Sequence, residues 1–390
     1  MQQIVRADLL AVSVKAPDLN KKYLPFDVEV GALLDEASDL RFTTICTDRD
    51  AGTEVLSRAM VENLEHEDGL VVVHDIPGDS KRVEVKLRNP ATFSPRLECE
   101  TRYPSELINL ILDVKGPAWL CDEITRDEDP NYVLKHLENE MRAYLGMDDF
   151  AGKRILDFGC GSGASTMLLA RLFPSTEIVG VELDGELLRV ARGRQRHYKV
   201  ENVRFTQSPS GMKLPADLGR FDLLVMSAVY EHLLPQERTT IMPSLWSLLD
   251  DGGVLFLDQT PHRFFPLELH TTSLPLINYL PDALTLKAAR RFSRRVGEND
   301  SWESLLRAGI RGATVREIQT ILRHSDSKAI LLEPTMSGLK DRVDLWFTTT
   351  NPDNLKTLKR YAKFALKALN SVTGIAIVPE LTLAFRKEPS

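Results

Sequence analysis

The sequence predicts an α/β fold: a doubly wound, mostly parallel sheet preceded by a smaller α+β or β-rich accessory region. Three observations predict it. Residues 154–166 read Arg-Ile-Leu-Asp-Phe-Gly-Cys-Gly-Ser-Gly-Ala-Ser-Thr, an apolar strand that runs into a glycine-rich turn and then a helix-like run, Met167 to Phe173. Beyond it, strand-like and helix-like segments alternate, as a parallel sheet with crossover helices requires. Before it, residues 1–100 carry short β-like runs of a different rhythm.

In that first region, residues 40–45, 70–74 and 82–87 read as strands, the last with polar and apolar residues alternating as on a half-buried sheet. Residues 31–36 and 54–64 read as helices. Residues 1–100 are therefore assigned to one accessory unit of unassigned role. Residues 101–150 form a second, helical segment. Residues 104–112 are apolar at helical spacing, and Asp129-Pro130 opens another helix with Val133, Leu134, Leu137 and Met141 along one face. The piece between, residues 115–123, reads as a linker with Trp119 buried, or as the lining of a substrate entrance.

The core occupies residues 151–390, with an insertion at about 260–370. Gly159, Gly161 and Gly163 stand at alternate positions after the first strand. Glycine lets backbone approach a ligand and accept positive φ, and the helix start that follows offers free N–H groups. The spacing Gly159-x-Gly161-x-x-Ala164 also satisfies the looser dinucleotide fingerprint. Asp157 argues for another ligand, because a carboxylate at this strand's end repels a pyrophosphate and suits a cationic group. The second strand ends in Glu182, 25 residues after Asp157, where a carboxylate accepts ribose hydroxyls. Nicotinamide enzymes use that device too, so Glu182 does not discriminate.

Together Asp157, the three glycines and Glu182 resemble the class I S-adenosyl-L-methionine-dependent methyltransferases. Residues 221–227 are similar to that family's fourth strand, residues 228–233 (Ala-Val-Tyr-Glu-His-Leu) to the stretch that follows it, and residues 252–257 to its turn into strand five. The resemblance covers about residues 150–260 and implies a Rossmann-like, seven-stranded sheet closed by an antiparallel strand at residues 374–387. It implies that Asp157 and the turn Gly159, Cys160, Gly161 and Gly163 hold the methionine half of the cofactor, with Cys160 packing as a small residue. Glu182 holds the ribose. Leu183, Ser208, Ser210, Gly211 and Ser227 flank adenine and sulfonium, Tyr230 packs on the cofactor or shapes the pocket, and the helices of residues 101–150 cap the site. One departure stands out: after the third strand no Asp or Glu is present to meet the adenine amine, only Thr206-Gln207-Ser208-Pro209-Ser210.

Methyl transfer needs an aligned nucleophile and, for a hydroxyl, a proton acceptor. The candidate bases at the carboxyl ends of the strands are His262, His232 and His270, with Glu231-His232 alternatively structural. No zinc spacing, no Asn-Pro-Pro-Tyr-like element and no Pro-Cys nucleophile occurs, so no metal and no DNA are expected. A net charge of −7 disfavours general nucleic-acid binding. The expected acceptor is a small molecule, a glycan or a lipid-like compound, methylated at oxygen. The Pro-rich, His-containing loop after strand five resembles that of family members acting on glycan, lipid-linked or quinone-type substrates.

Alternatives remain open. Lys287, Arg290, Arg291, Arg294, Arg295, Arg307, Arg311, Arg316 and Arg323 would serve an RNA or protein methyltransferase, the missing adenine-side carboxylate a non-catalytic SAM-binding scaffold, and the glycine turn a NAD-linked oxidoreductase. Residues 354–369 form an amphipathic helix: Leu355, Leu358, Ala362, Ala365 and Leu369 share the packed face. Lys356, Arg360, Lys363 and Lys367 form a solvated one, or a peripheral contact with an anionic membrane. The oligomeric state is left open. Hydrophobic content of 43%, four scattered cysteines, no apolar leader and no transmembrane-length run place the expected protein in the cytoplasm.

Overall fold

The computed structural model describes residues 61–90, 92–323, 327–349 and 356–389. The expectations at residues 31–36, 40–45 and 54–60 lie outside them. The chain enters through four antiparallel strands in sequential order, β1 (Val61–His66), β2 (Gly69–Ile76), β3 (Ser80–Leu87) and β4 (Glu98–Thr101). Residues 61–64, expected at the end of a helix, are in β1. Pairing with β2 (Val61↔His74 through His66↔Gly69) satisfies their backbone and turns Leu64 into the core. Here tertiary pairing overrides local propensity. Val71, Val73, Val83 and Val85 point to the same buried side.

Helices α1 (Ser105–Lys115) and α2 (Pro117–Glu128) cover that side with Leu107, Ile108, Ile111, Leu120 and Ile124. The linker reading of residues 115–123 is corrected by α2. Gly116, at φ +72°, ends one helix and Pro117 takes the first position of the next, where its missing N–H costs nothing. Trp119 is half-buried, edge-on to Phe93 at 5.9 Å. Asp129 opens the next turn as expected, its carboxylate accepting from Asn131 N at 2.9 Å. That turn leads into α3 (Lys135–Arg142), with Val133, Leu137 and Met141 buried.

The core strands are β5 (Arg154–Phe158), β6 (Glu177–Glu182), β7 (Val203–Gln207), β8 (Phe221–Ser227), β9 (Leu249–Pro261), β12 (Lys328–Leu331) and β13 (Glu380–Glu388). They lie in the order β12-β13-β9-β8-β5-β6-β7. The pairs from β9 to β7 are parallel, while β13 runs antiparallel to both neighbours. Helices α4 (Ala164–Leu172), α5 (Gly185–Tyr198) and α6 (Pro235–Leu248) make the crossovers. The two-residue pair β10 (Leu267–Glu268) and β11 (Leu274–Pro275) lies in the loop after β9.

That loop continues into α7 (Asp282–Phe292), α8 (Trp302–Arg307) and α9 (Val315–Leu322). Several of its arginines are engaged by neighbouring groups, although among those named only Arg311 is buried and Arg290 and Arg307 stay exposed. Arg311 is buried and pairs with Asp282 at 2.6 Å, Arg307 pairs with Glu237, and Arg290 and Arg295 donate to the carbonyls of Asp300 and Leu269.

Helices α10 (Arg342–Thr349) and α11 (Lys356–Thr373) complete the chain before β13. The faces expected of α11 are kept only in part: Arg360 is exposed as expected and Ala362 half-buried. Ala365 and Leu369 are exposed, while Lys363 reaches Asp344 at 2.8 Å and Lys367 reaches Asp341 at 3.0 Å. The reason is α10, which offers two carboxylates and the Phe347 ring to these ammonium groups. Tyr361 and Phe364 point outward instead. No helix among the described residues is long and apolar enough to cross a membrane.

Candidate active site

The glycine turn fastens β5 to α4 by division of labour. A Cβ on Gly163 would lie 2.7 Å from that of Ala191, so glycine there lets α5 pack close. Gly161, at φ +56°, has nothing within 4 Å of where a Cβ would stand, so its backbone faces open space. Gly159 presses on Val229 of the segment after β8. Cys160 is buried, and burial pushes its thiol well above the usual range, as a packing residue requires.

Asp157 is buried and accepts from the hydroxyls of Ser165 at 2.9 Å and Thr166 at 2.6 Å, both in the first turn of α4. Burial raises its carboxyl above the ordinary value. Its visible contacts therefore tie the helix start to the strand. Glu182 stands at the tip of β6, half-buried. It accepts from Gly161 N at 2.9 Å, Leu183 N at 2.6 Å and Asp184 N at 3.0 Å. A carboxylate has about four acceptor positions, so one remains for a hydroxyl. Leu183 is exposed beside it. Across the strand ends, the Ser208 hydroxyl is committed to the carbonyl of Lys213, and Ser210 Oγ accepts from Met212 N. Ser227 donates toward Asp258 at 3.3 Å. The open face of Gly161, the free edge of Glu182 and exposed Leu183 together fit an adenosyl ligand.

The three candidate histidines do not share one place. His262 is buried, its Nδ1 accepts from Phe264 N at 3.0 Å, and burial pushes the ring down to about 4. It stands apart from the other two. His232 and His270 meet, their rings 5.4 Å apart, beside Glu231. Burial lowers both, His270 to about 3, so both rings are neutral acceptors at ordinary pH. Glu231 is fully buried and burial pushes its carboxyl up to about 8. Tyr230, expected at the cofactor, is instead buried in the core behind the sheet. Its hydroxyl donates to Glu317 at 3.1 Å, and the Arg238 guanidinium lies 4.5 Å over the ring. In the turn after β8 the two neighbours meet different groups, Tyr230 meeting Glu317 and Arg238 and Glu231 meeting Thr260.

Sequence reasoning did not single out a second buried group, Glu140, Asp258 and Glu380. Glu140 bonds to His136, and Asp258 accepts from Thr382 at 2.8 Å. Burial and the Asp258 charge push Glu380 up to about 7 and hold Glu140 well above the carboxylate range. Asp258 ends the apolar run of β9, a position that could have drawn notice; Glu140 and Glu380 lie far away in sequence and gave no local signal.

The comparisons with known proteins agree with this geometry. A family described as "Methyltransferase domain" matches residues 155–253. The demethylmenaquinone methyltransferase of Lactococcus lactis subsp. lactis (strain IL1403) is 26% identical over 42% of this chain and 65% of its own length. The trans-aconitate 2-methyltransferase of Variovorax paradoxus (strain S110) is 30% identical over 49% of this chain and 70% of its own length. The ubiquinone biosynthesis O-methyltransferase of Xanthomonas euvesicatoria pv. vesicatoria (strain 85-10) is 33% identical over 30% of this chain and 48% of its own length. The chain thus spans less than two thirds of the first and last of these.

Proposed function

The chain belongs to the class I S-adenosylmethionine-dependent methyltransferases, and we propose that it methylates an oxygen of a small-molecule, glycan or lipid-like acceptor. The observation that carries the proposal is the meeting of Glu231, His232 and His270 at the carboxyl ends of β8 and β9. In open α/β sheets this is where ligands bind.

When bound, S-adenosylmethionine supplies a methyl already activated on sulfonium. In this reading the Gly161 backbone and Glu182 hold and orient it. Val229, packed on Gly159, carries the acceptor-facing segment up against the turn. His232 and His270, beside Glu231, receive the acceptor's hydroxyl and help it lose its proton, which is the step an oxygen nucleophile needs. Neutral imidazoles suit that role and suit an already deprotonated or amine acceptor less. The relatives' names, with ubiquinone biosynthesis and trans-aconitate among them, support a small acceptor. Of the basic stretch only Arg311 is buried, so an exposed basic face remains and RNA stays in the test as a control.

The test is transfer of an isotopically labelled methyl from the cofactor to a panel of hydroxylated quinols, glycans and carboxylic acids, with protein and RNA as controls. Label in an ether or ester product, with S-adenosylhomocysteine released, is the expected result. Label in RNA or protein alone, or tight cofactor binding with no product from any class, would overturn it.

A further inference from the structure

We propose that Glu231, His232 and His270 bind a divalent first-row transition-metal ion that holds the acceptor oxygen; this rests on the methyl-transfer reading above and names the device at that site. One carboxylate oxygen and two ring nitrogens lie within 4.8 Å of one another, with His232 Nε2 3.6 Å from Glu231 Oε1. Metal–ligand bonds of about 2.0–2.2 Å set such atoms roughly 3–3.5 Å apart, so binding draws the side chains inward by about 1 Å.

Among the described residues, two of these atoms lack any hydrogen-bond partner. Glu231 Oε1 and His270 Nε2 are both buried, and Glu231 has no exposed surface at all. A buried polar atom left unsatisfied is rare in a native fold. Here both atoms belong to one group of side chains, where a cation that takes the place of the Glu231 proton satisfies both and a further hydrophobic contact does not. The nearby group of His136, Glu140 and Asp258 has the same ligand chemistry. Its members, however, already bond to one another and to Thr382, so it is not a vacancy of this kind.

The outer contacts of the trio point the same way. His232 Nδ1 donates to the Arg307 carbonyl at 2.6 Å, which fixes the tautomer and leaves the Nε2 lone pair inward. Glu231 Oε2 accepts from the Thr260 hydroxyl at 3.0 Å, which leaves Oε1 as the free ligand atom. Metal-binding histidines and carboxylates are typically held in this manner. Gly309, at φ +91°, makes the room: a Cβ there would stand 2.7 Å from His270 Cδ2 and 3.1 Å from Glu231 Cγ. Two imidazoles and one carboxylate suit zinc, manganese, iron or cobalt better than magnesium or calcium. Three protein ligands leave open positions. His232 keeps 34% of its side chain exposed, so those positions face the side from which an acceptor enters.

The test uses full-length protein freed of metal by chelation and titrated with Co²⁺ without cofactor, followed by visible absorption and then Zn²⁺ competition. One Co²⁺ per chain is expected, displaced by Zn²⁺, with affinity lowered at least about 100-fold in Glu231→Gln and in His270→Ala. No binding by the wild type, or equal binding by both variants, overturns the site. Should a variant fold poorly, the X-ray absorption spectrum of the Co²⁺-loaded wild type decides: two imidazoles in the shell support the site, and oxygen ligands alone overturn it. An ion bound through these residues without any methyl transfer keeps the site and removes the functional reading. Transfer that survives chelation in a protein that binds no ion does the reverse.

Discussion

Two buried clusters of titratable side chains flank the glycine turn, and they differ in whether their bonds are complete. On the side of α2, Arg194 has no exposed surface. It donates to Tyr103 Oη at 3.0 Å, Ser162 O at 2.7 Å and Glu123 O at 2.6 Å, and pairs with Glu123 and Asp127. Ser162, inside the turn, donates to Glu123. On the side of β9, Glu231 and His270 each keep a buried atom without a partner among the described residues. Both glutamates are fully shielded from water. Burial raises Glu123, but Arg194 and Lys115 outweigh it and hold that carboxyl well below the usual range, whereas burial without a cation pushes Glu231 up. A finished network fastens α2 to the cofactor turn. An unfinished one leaves polar atoms that the proposed ion would satisfy.

The sharpest way to break this contrast is to remove the finished network's cation. Arg194→Met leaves Glu123 and Asp127 unpaired in the interior and should cost about 3–5 kcal/mol in urea denaturation; a loss below about 1 kcal/mol would put both clusters in one class. Glu231→Gln should do the opposite. Methyl transfer falls by about 100-fold, equivalent to about 2.7 kcal/mol of barrier, while the melting temperature stays near that of the wild type. A variant that melts early without a specific loss in kcat would make Glu231 structural.

Glu182→Ala removes one charged acceptor from the cofactor edge. Calorimetry with S-adenosylhomocysteine should register a weakening of about 10- to 100-fold, from the roughly 1.5–3 kcal/mol of a charged hydrogen bond. An unchanged affinity would move the ribose elsewhere.

The smallest effects are in pH. Glu123 has a depressed pKa, so its contribution is complete above the unfolded value of 4.5 and is lost as the pH falls below it. Glu380 is raised to about 7, so its contribution is complete below 4.5 and is lost as the pH rises toward 7. Denaturation from pH 3 to 8 should therefore flatten at its acid end in Glu123→Gln and at its neutral end in Glu380→Gln. Parallel curves for both variants and the wild type would show that neither carboxyl is tuned in this way.

Much of the core was legible because its signals are local. The turn at Gly159 to Gly163, the tip of β6 at Glu182 and the antiparallel β13 each announce themselves within a few residues, since backbone geometry demands glycine or an alternating pattern there. The readings that failed are those decided by a distant partner. Residues 61–64 became strand because β2 was available to pair with them. The lysines of α11 turned inward because Asp341 and Asp344 lay opposite. Gly116-Pro117 read as a linker, although the same two residues end one helix and start another.

The sequence by itself determined the sheet, the glycine turn and the carboxylates that border it, because each depends on φ, on period or on the charge of a single position. Only the tertiary structure decided which histidines lie together. His232 and His270 are 38 residues apart, Thr260 and Gly309 lie on two further segments, and the return of the chain after β9 brings all of them to Glu231. Whether a buried polar atom finds a partner depends on every segment folded around it, and no local pattern carries that information.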